Sequence, residues 1–285
     1  MSAVGSMSSF GAGSWGRQIA ALGFECQEGV YRLDGMSLEI RRGWPTLTVV
    51  RPDARADPLQ GHLGRPGLWK SVAAGPGTGR RALVRRVWEL PPAVLQTAWE
   101  DPAGGDGEEE PPSAFLAALS WALATVDGKA PSGWEAPPRD EVEAAIPAGS
   151  LTARQGAVLC QGSLVYTPER VALVFPVVRR IPADLPAVRR KWLEAVIVDT
   201  QERWRLVRLG VAKMDGGSSM QAEVDLTGAP RPLLEGLTKS SLAALQCVVR
   251  WLLRTADFLV DTGVACQALE SALSRDGPVE REKRG

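Results

Sequence analysis

Arginine is the residue type that gathers in this sequence. Arg80, Arg81, Arg85 and Arg86 fall close together, and Arg179, Arg180, Arg189, Arg190 and Lys191 form a second group. A guanidinium binds carboxylate or phosphate through parallel hydrogen bonds, so such groups suit an acidic partner. Arg85 and Arg86 are neighbours on a predicted strand and must point to opposite faces, so the first group is not one patch. The second surrounds a predicted helix and reads as a solvated face or as a basic surface for an acidic protein.

Other chemistry finds little purchase. The stretch Gly75-Pro76-Gly77-Thr78-Gly79-Arg80-Arg81 resembles a phosphate-binding loop only in its glycines. Arg80 stands where that loop needs lysine and Arg81 where it needs a hydroxyl, and a strand rather than a helix follows. His62 is the sole histidine and reads as a surface loop residue, which excludes a three-histidine metal site. No Gly-x-Ser-x-Gly elbow surrounds a serine. Paired carboxylates occur at Glu141 and Glu143 and at Asp257 and Asp261; the latter sit four apart on a predicted polar helix face and read as solvated. Cys26, Cys160, Cys247 and Cys266 form no Cys-x-x-Cys pair and read as reduced core thiols. No catalytic residue, cofactor or metal is expected from these features.

The tryptophans are more informative. Ten tryptophans against two tyrosines is an unusual balance, and most should be core. Trp44, Trp69 and Trp134 lie in or beside Gly/Pro-rich stretches, where they read either as loop packing or as anchors for a protein partner. With the second basic group they make the partner-binding candidates.

Composition bounds the partners. Lys plus Arg and Asp plus Glu number 33 each, so bulk charge does not favour nucleic acid. The sequence begins with small polar residues that do not resemble a secretory leader, and no run is long and apolar enough to span a membrane, so a cytoplasmic location is expected. A small-molecule partner is not indicated either.

The elements that would position these residues follow an α+β pattern. A helix is predicted at 15–22, then strands around 26–31, 36–40 and 44–50, with a turn at Asp34-Gly35. Residues 52–79 read as loop with a short helix near 68–74. Strands follow at 81–90 and 93–99, an acidic loop at 100–112, and a helix opened by Ser113. A linker at 129–139 leads to a short helix at 140–146. The second part then runs strands, a helix at 185–203, strand–turn–strand over 210–220, and a long helix at 237–261. In that long helix Leu242, Leu245, Val249, Leu252, Ala256 and Leu259 make one apolar stripe. On the 185–203 helix, Val188, Trp192, Val196 and Ala195 are expected to face inward.

The chain also echoes itself. Cys26-Gln27-Glu28-Gly29-Val30-Tyr31 resembles Cys160 to Tyr166, and an offset of 135 then pairs Tyr31 with Tyr166 and Ile40 with Phe175. Leu83-Val84-Arg85 matches Leu206-Val207-Arg208, and Leu116-Ala117-Ala118-Leu119 matches Leu242-Ala243-Ala244-Leu245. Residues 1–128 and 140–271 therefore read as two tandem antiparallel-sheet units, each backed by a C-terminal helix and related by a pseudo-twofold axis. The linker lies between them, and a disordered tail at 272–285 follows.

Helix, three strands, helix, two strands and a long final helix is the order of the second unit. It is similar to the type III secretion chaperone-like fold, which includes YbjN-type proteins. The resemblance covers 140–265 best and 13–128 less closely. It implies a non-enzymatic role: holding a segment of another protein on sheet edges and apolar grooves, as a dimer that a tandem chain would supply internally as a monomer. The expected function is thus a chaperone or adaptor. The alternatives are a structural subunit of a larger bacterial assembly, or an enzyme subunit working through arginine and carboxylate.

Overall fold

Tight turns organise the strands into hairpins. Asp34 and Gly35 (φ 44° and 75°) form a two-residue loop between β2 (Val30–Leu33) and β3 (Met36–Arg41), with Leu33 paired to Met36. Both central residues take positive φ, as the turn that matches strand twist demands. Glu28-Gly29 makes the same kind of turn between β1 (Glu25–Gln27) and β2. The computed structural model describes residues 14–41, 44–53, 63, 67–75, 82–91, 94, 113–127, 134–181, 183, 185–214 and 217–255.

The fold is α+β, with three antiparallel sheets. Helix α1 (Ser14–Ala21) precedes a sheet of order β1-β2-β3-β4-β6-β5, completed by β4 (Trp44–Asp53), β5 (Trp69–Gly75) and β6 (Ala82–Glu89). Helix α2 (Ser113–Thr125) closes this half. The second half opens with α3 (Arg139–Ala144) and the separate hairpin β7 (Thr152–Gln155) and β8 (Val158–Gln161). A four-stranded sheet of order β11-β12-β10-β9 follows. It comprises β9 (Ser163–Thr167), β10 (Arg170–Ile181), β11 (Arg208–Met214) and β12 (Gly217–Asp225), with α4 (Ala187–Arg203) between β10 and β11 and α5 (Arg231–Thr255) last.

Apolar residues alternate on the strands and recur on the helices, so one buried cluster runs through both halves. Leu38, Leu47 and Trp88 share it with Phe115 and Leu119 of α2, and Leu173, Phe175 and Val224 share it with α5. On α5, Leu242, Leu245, Val248, Val249, Leu252 and Leu253 are buried while Arg250 and Arg254 face solvent. Each such leucine contributes about 1.5–3 kcal/mol by leaving water.

Several sequence expectations need correction. The long helix begins at Arg231, six residues before the predicted start, because Pro232 falls in its first turn, where a missing N–H costs nothing; Ala256 and Leu259 lie outside the described residues. The predicted short helix near 68–74 is strand β5, and Val94, placed on a predicted strand, is helical. On α4 the buried side chains are Leu193, Ile197, Thr200 and Gln201, whereas Val188 is 61% exposed and Ala195 is exposed. This helix lies against β5 and β11, and Gln201 Nε2 donates 2.9 Å to the Leu209 carbonyl, so its inner face is partly polar. Cys26 and Cys247 are exposed free thiols, while Cys160 is buried. The acidic loop at 100–112, Arg80, Arg81, His62, Cys266 and the 272–285 tail lie outside the described residues.

The offset of 135 does not align the strands of the two sheets. Both halves place their strands alike, β3-β4-β6-β5 beside β9-β10-β12-β11. Leu38 pairs with Leu47 in the first sheet and Leu164 with Leu173 in the second. These pairs lie 126 apart (38 to 164, 47 to 173), as do the helix segments starting at Leu116 and Leu242. The 135 offset instead sets β2 on β9, because one Cys-Gln segment spans the β1–β2 turn and the other the β8–β9 junction. Leu206-Val207-Arg208 likewise opens β11, whose place in the first sheet belongs to β5 and not to the β6 residues Leu83 to Arg85.

Candidate functional site

Charged side chains accumulate where the two halves meet. In the first sheet Lys70 on β5 and Glu89 at the end of β6 lie on one face and are both buried, with Lys70 Nζ 3.3 Å from Glu89 Oε2. The bend between α4 and β11 descends onto this face from the other half. Lys70 Nζ donates 2.9 Å to the Trp204 carbonyl, Arg205 Nη1 lies 3.0 Å from Glu89 Oε1, and the Leu206 amide donates 3.4 Å to Glu89 Oε2. The Arg205 guanidinium also stands 4.6 Å over the Trp44 ring, an attraction of about 0.5–1 kcal/mol at such a site.

The second junction uses the second sheet. Glu223 and Asp225 alternate with Val224 on β12, so both carboxylates share the face turned away from α5. Arg170 bridges them, 2.5 Å from Glu223 Oε2 and 3.1 Å from Asp225 Oδ2. Arg208 on β11 lies 3.5 Å from Glu223 Oε1 and donates to the Gly67 carbonyl of the first half. The Gly67 amide in turn donates 2.9 Å to Asp225 Oδ1, which also accepts the Thr227 amide.

The two junctions are therefore reciprocal. In each, a carboxylate at the end of the last strand accepts a backbone amide from the other half, and a cation on the neighbouring strand donates to a carbonyl there. Lys70 and Arg208 hold the same place, opposite Val87 and Glu223 on the central partner strands.

Burial sets the protonation energetics. Desolvation pushes the Lys70 pKa below its usual value, outweighing the favourable pull of Glu89, while Arg205 and Arg85 push it the same way as burial. Burial likewise lowers Arg208. It also opposes the charge on Arg170, but there Glu223 and Asp225 prevail and raise the pKa. Between the lowered Lys70 value and the ordinary 10.5, the unfolded chain binds a proton that the folded chain does not, so this lysine's contribution to stability rises with pH. The unfolding free energy of the native chain minus that of Lys70→Met should climb as pH approaches 10.5. A flat or falling difference in paired urea titrations contradicts this sign. Tyr31, whose pKa burial raises, works in the opposite direction but is common to both proteins.

The residues singled out in the sequence do not gather in one place. Trp69 is only 4% exposed, and its Nε1 donates to the Ala122 carbonyl at 3.1 Å and to Thr125 Oγ1 at 3.2 Å. It is a core residue that an external partner does not reach. Trp44 is half-buried beneath Arg205, and Trp134 is half-buried against Trp121, ring centroids 5.5 Å apart. Arg190 pairs with Glu194 and Arg203 with Asp199 along α4; such exposed pairs contribute about 0–1 kcal/mol each. Lys191 is exposed, Arg189 is half-buried, and the side chains of Arg179 and Arg180 lie outside the described residues. Glu141 faces Arg231 at 3.6 Å and Glu143 faces Arg139 at 2.7 Å, so neither forms a carboxylate pair.

Sequence reasoning missed Lys70, Glu89, Arg170, Arg205, Arg208, Glu223 and Asp225. The available signal was charge alternating with apolar residues on strands destined for burial on both faces, as in Ala222-Glu223-Val224-Asp225. Among the described residues no cluster of three metal-ligating side chains forms, and no helix is long and apolar enough to cross a membrane. An open cleft of about 490 Å³ borders Glu25, Arg32 and Asp34 and shares no residue with the seam.

No protein-family model matches the chain, and no curated protein or solved structure matches it either.

Proposed function

We propose that the chain is a cytoplasmic protein-binding module, a chaperone or adaptor, that takes up an extended segment of another protein along a sheet edge. On this reading the halves are tandem copies of one unit joined about a pseudo-twofold axis, so that one chain supplies its own dimer. The observation that carries the binding role is the edge strand β9: it ends the second sheet with no further strand beside it among the described residues, and Leu164, Val165 and Tyr166 on it are half-exposed. An edge of this kind offers backbone hydrogen bonds for a partner strand and alternate side-chain positions for selectivity. Strand β1 also ends a sheet but has only three residues, all exposed, and makes a poorer platform. The tandem reading is supported by the shared strand order, the 126-residue register and the reciprocal junctions. The buried ionic groups are engaged in holding the halves together, which leaves recognition to the edges.

The test is affinity purification of the chain from its native host beside a Val165→Lys variant. A lysine on an edge strand opposes strand addition. A stoichiometric protein partner should accompany the unmodified chain and be lost by roughly tenfold or more with the variant, a change of about 1.4 kcal/mol in binding. Retention of the partner by the variant moves the site away from β9. Purification without a partner, coupled with turnover of a small molecule, overturns the binding role.

A further inference from the structure

The two junctions share a plan but not a charge balance. In the second, the carboxylates of Glu223 and Asp225 face the guanidinium groups of Arg170 and Arg208, so the charges cancel. In the first, among the described residues, the single carboxylate of Glu89 serves both Lys70 and Arg205, so cations outnumber the carboxylate. The first junction therefore buries one ion pair and leaves its second cation at the surface, whereas the second holds a matched set of four groups.

Three further observations point to the same end of the seam. The Arg205 side chain is 46% exposed against 26% for Arg170, the outer cation of the second junction, so water reaches the first junction more readily. Leu206 is held at φ 66°, a left-handed conformation that is unfavourable for a bulky residue. Helix α4, which leads into this bend, buries only Leu193 and Ile197 among its apolar side chains. Segments with few buried apolar groups open at lower free energy than the core.

We propose that the seam opens from one end: α4 and the bend at Trp204 to Leu206 form a strap that lifts from the first sheet while Gly67 stays held on Asp225. Lifting the strap hydrates Lys70, Glu89 and Arg205 and relaxes Leu206. It also uncovers the Lys70–Glu89 face of β5 and β6 without separating the halves. The wetter junction with the single carboxylate opens first, and the four-group junction acts as the hinge. This device stands on the geometry of the seam and does not depend on what the protein binds.

The molecule carries its own probes, because each junction contains one backbone amide bound to a carboxylate: Leu206 to Glu89 at 3.4 Å and Gly67 to Asp225 at 2.9 Å. Native-state hydrogen exchange of the full chain, resolved by NMR, should show Leu206 exchanging at least about tenfold faster than Gly67, through an opening with little denaturant dependence. Glu89→Gln should accelerate Leu206 and leave Gly67 unchanged. Equal protection of the two amides, or acceleration of both together in the variant, overturns the proposal. If the variant does not fold, the comparison within the unmodified chain decides alone.

Discussion

Asp225→Ala is expected to cost about 3–5 kcal/mol of stability, the range for removing one member of a buried ion pair. Asp225 is fully buried and accepts from Arg170 and from the amides of Gly67 and Thr227. Alanine leaves the buried amides without an acceptor and Arg170 with half its counter-charge. It also releases the first half from the second sheet at Gly67. Against a typical total of about 5–15 kcal/mol, this brings the chain near its unfolding threshold at room temperature. Asp225→Asn keeps an acceptor for the amides and should lose less. By contrast Glu143→Ala, which removes an exposed pair with Arg139, should change stability by no more than about 0.5 kcal/mol. Urea-unfolding midpoints of the three variants order them, and a loss under about 1 kcal/mol for Asp225→Ala contradicts its role as a pin between the halves.

Gly228→Ala comes next. Gly228 lies in the loop after β12 at φ 76°, and a Cβ there would fall inside the indole of Trp121. That ring cannot easily retreat, since a Cβ on Gly67 would already meet it at 3.1 Å and Trp134 stands 5.5 Å away. The substitution combines left-handed strain of about 1–2 kcal/mol with overpacking of about 1–3 kcal/mol. Gly29 supplies the control: its φ is 79°, but nothing lies within 4 Å of the position a Cβ would take. Gly29→Ala should therefore show the strain alone. Thermal unfolding followed by tryptophan fluorescence separates the two; equal losses would mean that Trp121 yields without cost.

What the sequence could and could not disclose follows from how far each interaction reaches. The Asp34-Gly35 turn and the stripe on α5 are legible because the residues that determine them are neighbours along the chain. The start of α5 was hidden by Pro230 and Pro232, which punctuate a sequence whether they end a helix or open one. Strand β5 was masked by its Gly/Pro-rich surroundings; it is held by pairing to β6, from Trp69 opposite Trp88 to Ala73 opposite Val84. The seam was illegible for a stronger reason. Gly67 and Asp225 stand 158 residues apart, and Lys70 and Trp204 stand 134 apart. No local pattern marks a charge whose partner is that distant. Trp69, beside a Gly/Pro-rich stretch, reads equally as loop packing or as a partner anchor for the related reason that its cover, α2, is an element far along the chain.

That separation has a consequence for how the protein is made. A ribosome adds about 5–20 residues each second, so after Glu89 is synthesised Arg205 follows on the order of ten seconds later. For that interval the nascent first half must keep Lys70 and Glu89 hydrated, and its sheet can form its hairpins but cannot seat the bend that later covers it. The last step of folding is then a docking event timed by translation, and the growing chain carries a charged, half-finished surface until its own second half arrives.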